Sequence, residues 1–402
     1  MKHIIILGDG MADEPIAALG NKTPLQVAHK PYIDQIAQSG VNGLLETVPD
    51  SMHPGSEIAN MSVLGYDVEE VYEGRGVLEA ASMNIEIAPD EIAFRCNLIC
   101  IENEKIKNHS AGHISNEEAG ELIDLLNEKL GNESVRFHKG VSYRNLLILK
   151  NGNKNLQCTP PHDVPNKPFA PLLVQPKEEA ANATAKLLNE LIAASIKLLE
   201  NHPINVKRKS EGKDPANAIW PWSPGERPLM QTLKSQWGVN SSAVISAVDL
   251  VQGIGVYAGM EVIKVNGATG LYNTNYAGKA QAAWQALQKH DFVYLHIEAP
   301  DEAGHEGDFQ LKVKTIEDID SKVVKPIWEA IQASEEEIAI AILPDHPTPC
   351  ELRTHTRTPV PFAVYKPNLF RDDVDTYDEH NAEWGELGLL KGNEFIKFLL
   401  AD

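Results

Sequence analysis

Three aspartates in this chain follow apolar runs, and histidines gather around two of them. Asp9 closes HIIILGD, Asp301 follows VYLHIEAP, and Asp345 follows IAIAILP. Taken singly, each reads as a turn residue, because aspartate bonds its own backbone there. The neighbours change that reading. His305 follows Asp301 in DEAGH, His346 follows Asp345 directly, and His355 lies in RTHTRTPVPF. Carboxylate oxygen with imidazole nitrogen, and no thiolate, suits zinc, manganese or iron. Six such ligands exceed one tetrahedral ion and suit two. Two ions roughly 3.5–4 Å apart clamp the attacking and leaving oxygens of an in-line phosphoryl displacement.

A covalent route through such a site needs a nucleophile. Ser56 follows a Pro-Gly loop in MHPGSEIAN and opens a run that could start a helix. Ser56 as a helix N-cap is the plain alternative. The two readings are compatible, since a helix N-terminus offers N–H groups to a phosphate.

The elements that must carry these residues alternate. His3–Leu7, Gly43–Val48, Asp291–Ile297, Ile338–Leu343 and Val360–Tyr365 read as strands. Helical spacing covers residues 25–38, 311–331 and a closing stretch, Leu389–Leu400. Continuous apolar strands between helices predict an α/β fold with a mainly parallel sheet covered by helices on both faces. Ligands of such sheets bind beyond the carboxyl ends of the strands, where the three aspartates fall. The middle of the chain is richer in Asn, Lys and Pro. Strands at Ile92–Cys100, Asn145–Leu149 and Ala216–Trp220, a capped helix from Ser115 to Leu130, and a helix over Glu178–Asn201 fit a smaller inserted α/β domain. The expected division is 1–84 with 236–402, and 85–235 as the insert. Pro221–Pro228 (PWSPGERP) reads as a rigid loop near the return crossing.

The bulk properties exclude several classes. The 402 residues are 43% hydrophobic and 23% charged, an ordinary globular balance. Cys96 and Cys100 fall in an apolar run and no C-x-x-C pair occurs, so buried free thiols are expected. No apolar run is long enough for a signal peptide or membrane helix, which predicts a soluble cytoplasmic protein without membrane association. A net charge of −21 disfavours nucleic acid and anionic membrane as partners. Such a chain must concentrate positive charge locally to handle an anionic substrate.

The segments GDGMAD, HPGSEIANMSVLGYD, YEGRGVLEA, AFRCNL, PPHD, GATGLYNTNYAGKA, HIEAPDEAGHEGD and PDHPTP…RTHTRTPVPF span nearly the whole chain. In this order they resemble the cofactor-independent phosphoglycerate mutases, archaeal-type branch, of the alkaline phosphatase superfamily. The resemblance implies a bimetal phosphatase-like domain with a smaller α/β domain inserted after the nucleophile segment. Ser56 matches the phosphorylated serine. Asp9, Ser56, Asp345 and His346 match the ligands of one metal, and Asp301, His305 and His355 those of the other. Two manganese, magnesium or zinc ions are implied, and no bisphosphoglycerate cofactor. The serine then takes the phosphoryl group from one hydroxyl of phosphoglycerate and returns it to the other. The insert is expected to hold the glycerate and close over it. Candidates are Arg95, Arg144, His162 and Asp163, with Lys279 from the catalytic domain, and Asn60 near the phosphate. Each arginine reads equally well as a surface ion pair.

Two departures concern substrate choice. Where the archaeal mutases carry an Arg-Gly-Ala-Gly-like stretch, this chain has Ile219-Trp220-Pro221-Trp222-Ser223-Pro224-Gly225. Arginine grips carboxylate or phosphate in a bidentate way and tryptophan does not, although packing alone would also explain the tryptophans. His113 stands in SAGHIS where a basic residue is expected, replacing a fixed charge by a titratable one. A sub-branch with this Trp-x-Trp segment resembles proposed homoserine kinases of threonine synthesis. A metal-dependent phosphatase is a weaker alternative, because a closing insert excludes water. A scaffold with a relict site predicts missing ligands, and none is missing.

Overall fold

The computed structural model describes residues 1–401. Two compact units divide them: residues 1–72 with 229 onward, and Glu73–Pro228. The first unit is built on an eight-stranded sheet in the order Glu261–Val262, Ser242–Ile245, Phe292–Ile297, Lys2–Gly8, Ile338–Leu343, Val360–Tyr365, Val41–Glu46, Leu389–Lys391. The first five strands are mutually parallel, and Val360–Tyr365 runs antiparallel to both of its neighbours.

The central strands are apolar on both faces because helices cover both. Ile4, Ile5, Ile6, Val293, Leu295, Ile340 and Ile342 are fully buried. Their register sets the site. Gly8 lies beside Ile297 and Leu7 beside Leu343, so three adjacent strands end level. The segments that follow them leave from one edge of the sheet.

Several expected elements differ in detail. The helix expected over 25–38 is two, Pro24–Val27 and Pro31–Ser39. Pro31 disfavours helical backbone at Lys30, which breaks the run. The long pattern over 311–331 is Phe309–Ile319, a π turn at Asp320–Val324, and Lys325–Ala333. The closing helix is shorter: Leu389–Lys391 joins the sheet edge and only Glu394–Leu400 is helical. Among the described residues no helix is long and apolar enough to cross a membrane.

The inserted unit has an antiparallel sheet around Glu91–Glu102. Arg144–Lys150 lies on one side and Ala218–Gly225 on the other, with Val135–Val141 and Lys105–Asn108 completing it. Helices Asn116–Leu130 and Asn182–Leu199 bury Leu122, Leu126, Leu188 and Ile192 with Phe94, Cys96 and Leu98. The four cysteines are free thiols. Two sequence readings are corrected. Helix Arg75–Ser82 packs on Glu91–Glu102 and Ala218–Gly225, so the insert begins at residue 73 and ends at 228. The start of PWSPGERP is strand, not loop: Pro221 pairs with Cys96 and Trp222 with Arg95. Among the described residues Ala218–Gly225 pairs only with Glu91–Glu102, and an edge strand tolerates a proline that cannot donate.

One buried ion pair fixes the loops at the sheet edge of the first unit. Lys312, from Phe309–Ile319, is fully buried and donates to Ala12 O at 2.9 Å, Asp13 Oδ2 at 2.8 Å and Thr348 O at 2.9 Å. The ammonium has three hydrogens and three acceptors. Asp13 also accepts the Cys350 N–H, so the segment after the first strand is tied to the one after Ile338–Leu343. Removing one partner of such a pair strands the other charge. Lys312→Met is expected to cost roughly 3–5 kcal/mol in urea unfolding; a loss below about 1 kcal/mol would show that Asp13 holds its place unaided.

Candidate active site at the strand ends

Asp9, Asp301 and Asp345 come together where the three level strands end. Asp345 is fully buried, and its Oδ1 accepts the N–H groups of Gly10 (3.1 Å) and His346 (2.9 Å). The loops are so close that a Cβ on Gly10, at φ +59°, would lie 2.6 Å from Asp301 Oδ1 and Thr348 Oγ1. Glycine is required there for space and for conformation.

Ser56 begins the helix Ser56–Val63, and Gly55 rather than Ser56 is its N-cap residue. The serine hydroxyl is therefore not spent on capping. Its Oγ lies 3.1 Å from His346 Nε2. Asn60, one turn on, donates from Nδ2 to Ser56 O and to Asp345 Oδ2, both at 2.8 Å, and Tyr294 donates to Asn60 Oδ1 at 2.7 Å. The helix that Ser56 opens is thus fastened to Asp345.

Two overlapping ligand clusters result. Asp9, Asp345 and His346 offer donor atoms within 4.8 Å of one another, and Ser56 Oγ borders them. Asp9 Oδ1 is buried without a hydrogen-bond partner. Asp301, His346 and His355 form the second, with His305 Nε2 3.2 Å from Asp301 Oδ2. The Nε2 atoms of His305 and His355 face each other at 2.9 Å, a distance at which two lone pairs need a proton or cation between them. Thr348 Oγ1 donates to Asp301 Oδ1 at 2.5 Å. His346 stacks on His355 with ring centroids 4.0 Å apart and belongs to both clusters.

Burial and mutual repulsion shape the titration of these groups. Asp9 is raised well above the usual carboxylate range by burial, then by Asp345, Glu298 and Asp301. Burial also opposes the charge on Asp301, but hydrogen bonds from His305 and His355 outweigh it and hold the carboxyl well below that range. The Asp301 hydrogen bond raises His305 to about 9. Burial lowers His346.

Sequence reasoning missed His296 and Glu298, which form a third cluster with Asp9. His296 Nε2 lies 2.8 Å from Asp9 Oδ2, and its Nδ1 meets Ser246 Oγ at 3.1 Å. Burial, then Lys279, pushes His296 down to about 3, so the neutral ring can orient Asp9 as a hydrogen-bond donor. A signal existed: polar residues at alternate positions of an otherwise apolar strand, on the face that carries the site. Lys279 is fully buried and donates to His296 O at 3.3 Å. Burial lowers it to about 8 against the pull of Glu298.

The remaining candidates lie in the inserted unit. Arg95 and Arg144 sit on adjacent strands, and His162 packs its ring 5.2 Å from Trp222. Asp163 is a surface residue 3.5 Å from His162 Nε2. His113 stands beside Tyr143. Arg75 and His109, not singled out by the sequence, act electrostatically on the same group: burial lowers His162, and Arg75, Arg95 and His109 lower it further.

Comparison with known proteins shows the family. The family described as 2,3-bisphosphoglycerate-independent phosphoglycerate mutase matches residues 37–205. A mutase of that description from Methanosarcina acetivorans is 50% identical over 402 residues, covering 100% of both chains. A solved protein of Pyrococcus horikoshii is 31% identical with a TM-score of 0.84, covering 99% of this chain and 97% of its own. The cofactor-independent phosphoglycerate mutase of Thermoplasma acidophilum is 27% identical with a TM-score of 0.69, covering 100% and 99%. With half its residues shared along the full length of such a relative, the chain belongs to the 2,3-bisphosphoglycerate-independent phosphoglycerate mutase family.

Proposed function

We propose that the chain interconverts 2- and 3-phosphoglycerate by phosphoryl transfer through Ser56, at a site holding two divalent ions. The observation that carries this reading is the placement of Ser56 Oγ, uncommitted to capping, 3.1 Å from His346 Nε2 within the Asp9–Asp345–His346 cluster.

The donor set fits two ions. An unpartnered Asp9 oxygen and two imidazole nitrogens 2.9 Å apart are arrangements that a cation relieves. Asp9, Ser56, Asp345 and His346 would hold one ion, and Asp301, His305 and His355 the other, with manganese, magnesium or zinc compatible. Bound there, the ions supply Lewis-acid stabilisation of phosphoryl oxygens and lower the serine hydroxyl pKa. The chain's own residues do the rest. Asn60 fixes the Ser56 helix against Asp345, and Thr348 fixes Asp301. Ser56 Oγ gives up its proton as it attacks phosphorus, the P–O bond to one glycerate oxygen breaks, and that oxygen takes up one proton in exchange. The reverse step forms the bond to the other glycerate oxygen and frees Ser56. Lys279 offers a buried ammonium for substrate oxygens beside this centre, and Arg95 and Arg144 would supply positive charge in a chain whose net charge is −21, with His162 a neutral ring that can donate or accept a hydrogen bond. His162 would bear on the glycerate together with Asp163.

Purified protein with manganese should convert 3-phosphoglycerate to the 2-isomer without added bisphosphoglycerate. Homoserine with ATP, assayed in parallel, should give no product; turnover of homoserine alone would sink the mutase reading. Ser56→Ala should lower kcat by at least 10³-fold while metal content, read by mass spectrometry, falls little. Substantial residual activity would remove the covalent step. Metal loading should also expel protons, because His305 is held near 9 and must be neutral to ligate. Calorimetry of manganese binding at pH 7 in buffers of different ionisation enthalpy should report about one proton or more released per chain, and affinity should rise toward pH 9. Binding with no proton exchange would remove His305 from the ligand set.

A further inference from the structure

Ser56 stands at the end of an irregular loop, residues 47–55, that follows strand Val41–Glu46. Among the described residues the loop makes one internal backbone hydrogen bond, from the Met52 N–H to Pro49 O at 3.0 Å. Pro49 and Pro54 have no N–H to give. Side chains from elsewhere in the first unit therefore decide where the serine sits. Thr47 holds the start of the loop, donating from Oγ1 to Asp345 O at 2.5 Å.

Two anchors hold the end nearest Ser56. Glu57, the second residue of helix Ser56–Val63, is fully buried, and its Oε1 accepts from His53 Nε2 at 3.0 Å and from Tyr72 Oη at 3.3 Å. The carboxylate folds back over the helix entrance: a Cβ on Gly55 would lie 3.0 Å from Glu57 Oε2. Negative charge is favoured at that end of a helix. The second anchor is Arg357, whose Nε (3.2 Å) and Nη2 (2.6 Å) both donate to Met52 O. Two donors of one rigid guanidinium on a single carbonyl fix direction as well as distance. Arg357 lies two residues beyond His355, and Thr356 between them donates its N–H to Pro347 O at 3.0 Å, next to His346. The arm therefore springs from a segment tied to both ligand clusters.

We propose that Arg357 is a positioning residue for phosphoryl transfer, clamping the Met52 carbonyl so that Ser56 Oγ keeps its 3.1 Å approach to His346 Nε2. The inference rests on the mutase reading, in which Ser56 attacks phosphorus. Only three residues separate Met52 from Ser56, so a carbonyl free to drift carries the hydroxyl with it. A displacement of about 1 Å from the in-line approach costs roughly 100-fold in rate. Arg357 itself is exposed, so its loss opens no cavity and strands no buried charge. What its loss removes is the fixed direction of one loop, which bears on the transfer step rather than on substrate affinity or metal binding.

The test uses the full chain with manganese. Arg357→Ala should lower kcat for 3-phosphoglycerate about 10- to 100-fold. KM should stay within about 3-fold, and manganese content and the urea midpoint should not change. Arg357→Lys, which offers one ammonium in place of a fork, should recover part of the loss. Millimolar guanidinium should restore part of kcat to Arg357→Ala and none to His53→Ala, which loosens the other anchor. Hydrogen exchange read by mass spectrometry follows the clamp without turnover. The Met52 amide should exchange at least about 10-fold faster in Arg357→Ala than in the wild type, with the peptide over Phe309–Ile319 unaltered. Unaltered exchange at Met52, an unaltered kcat, or a raised KM with kcat intact would each overturn the inference, the last by making Arg357 a substrate contact. Equal guanidinium rescue of both variants would overturn it too. A wild type that interconverts nothing, with Met52 exchange still quickened by Arg357→Ala, would instead strike the mutase reading and leave the clamp standing.

Discussion

A buried ammonium holds the active end of the sheet together. Lys312 has every hydrogen spent on the segments after two central strands, and the residues around those contacts are the ones that face the chemistry. Thr348 gives its carbonyl to Lys312 and its hydroxyl to Asp301, while Asp13 lies four residues beyond Asp9. The carboxylates Asp9, Asp301, Asp345 and Glu298 repel one another in a crowded, largely buried cluster and would separate if their backbones could move. Parallel strands ending level bring these groups to one edge, but a sheet alone does not fix loops to tenths of an ångström. The clasp supplies that fixity from outside the ligand set, so the ligands need not provide it themselves.

The site was legible in the sequence to the extent that its residues follow recognisable apolar runs. Asp9, Asp301 and Asp345 could be placed because a parallel sheet has a chemical end, and three strands of similar character reach it. The histidines near two of them turned the reading from turn residue to candidate ligand. His296, Thr348, Lys312 and Asp13 were not legible because their meaning lies in partners far along the chain: Lys312 meets Ala12 and Asp13 some 300 residues away. No local pattern marks a lysine as buried; helix Phe309–Ile319 reads as an amphipathic surface helix, and its tertiary partners decide otherwise. Ser56 was ambiguous for the opposite reason. Its sequence context suited a cap, and only the backbone shows that Gly55 takes that place.

The fold was read correctly in class and less well at its edges. Apolar periodicity found the central strands, whose burial leaves no alternative, whereas terminal segments follow weaker signals. Leu389–Lys391 joins a strand edge within a run whose spacing resembles a helix. The Pro-Trp-Ser-Pro segment suggested a loop because two prolines cannot donate to a ladder, yet an edge strand asks for only half of the donors. The start of the insert was missed because helix Arg75–Ser82 follows the Ser56 segment after only the one-turn helix Val68–Val71 and a Gly-containing turn, and sequence alone cannot say which core receives its buried face.

The level strands also have a consequence for the order of synthesis. Lys2–Gly8 is made well before both strands that flank it, Phe292–Ile297 and Ile338–Leu343, which belong to the last third of these residues. The central ladder therefore closes over loops of about 290 and about 340 residues, and pairings so distant form late. Glu73–Pro228 has its own sheet and core and contains every strand of that sheet within itself. It can fold while the first strand still waits for its neighbours, exposing an apolar segment of Ile4, Ile5 and Ile6 to solvent during elongation. A chaperone that shields short β-prone runs should thus meet this chain at Ile4–Ile6, long before the partner strands of that run are made.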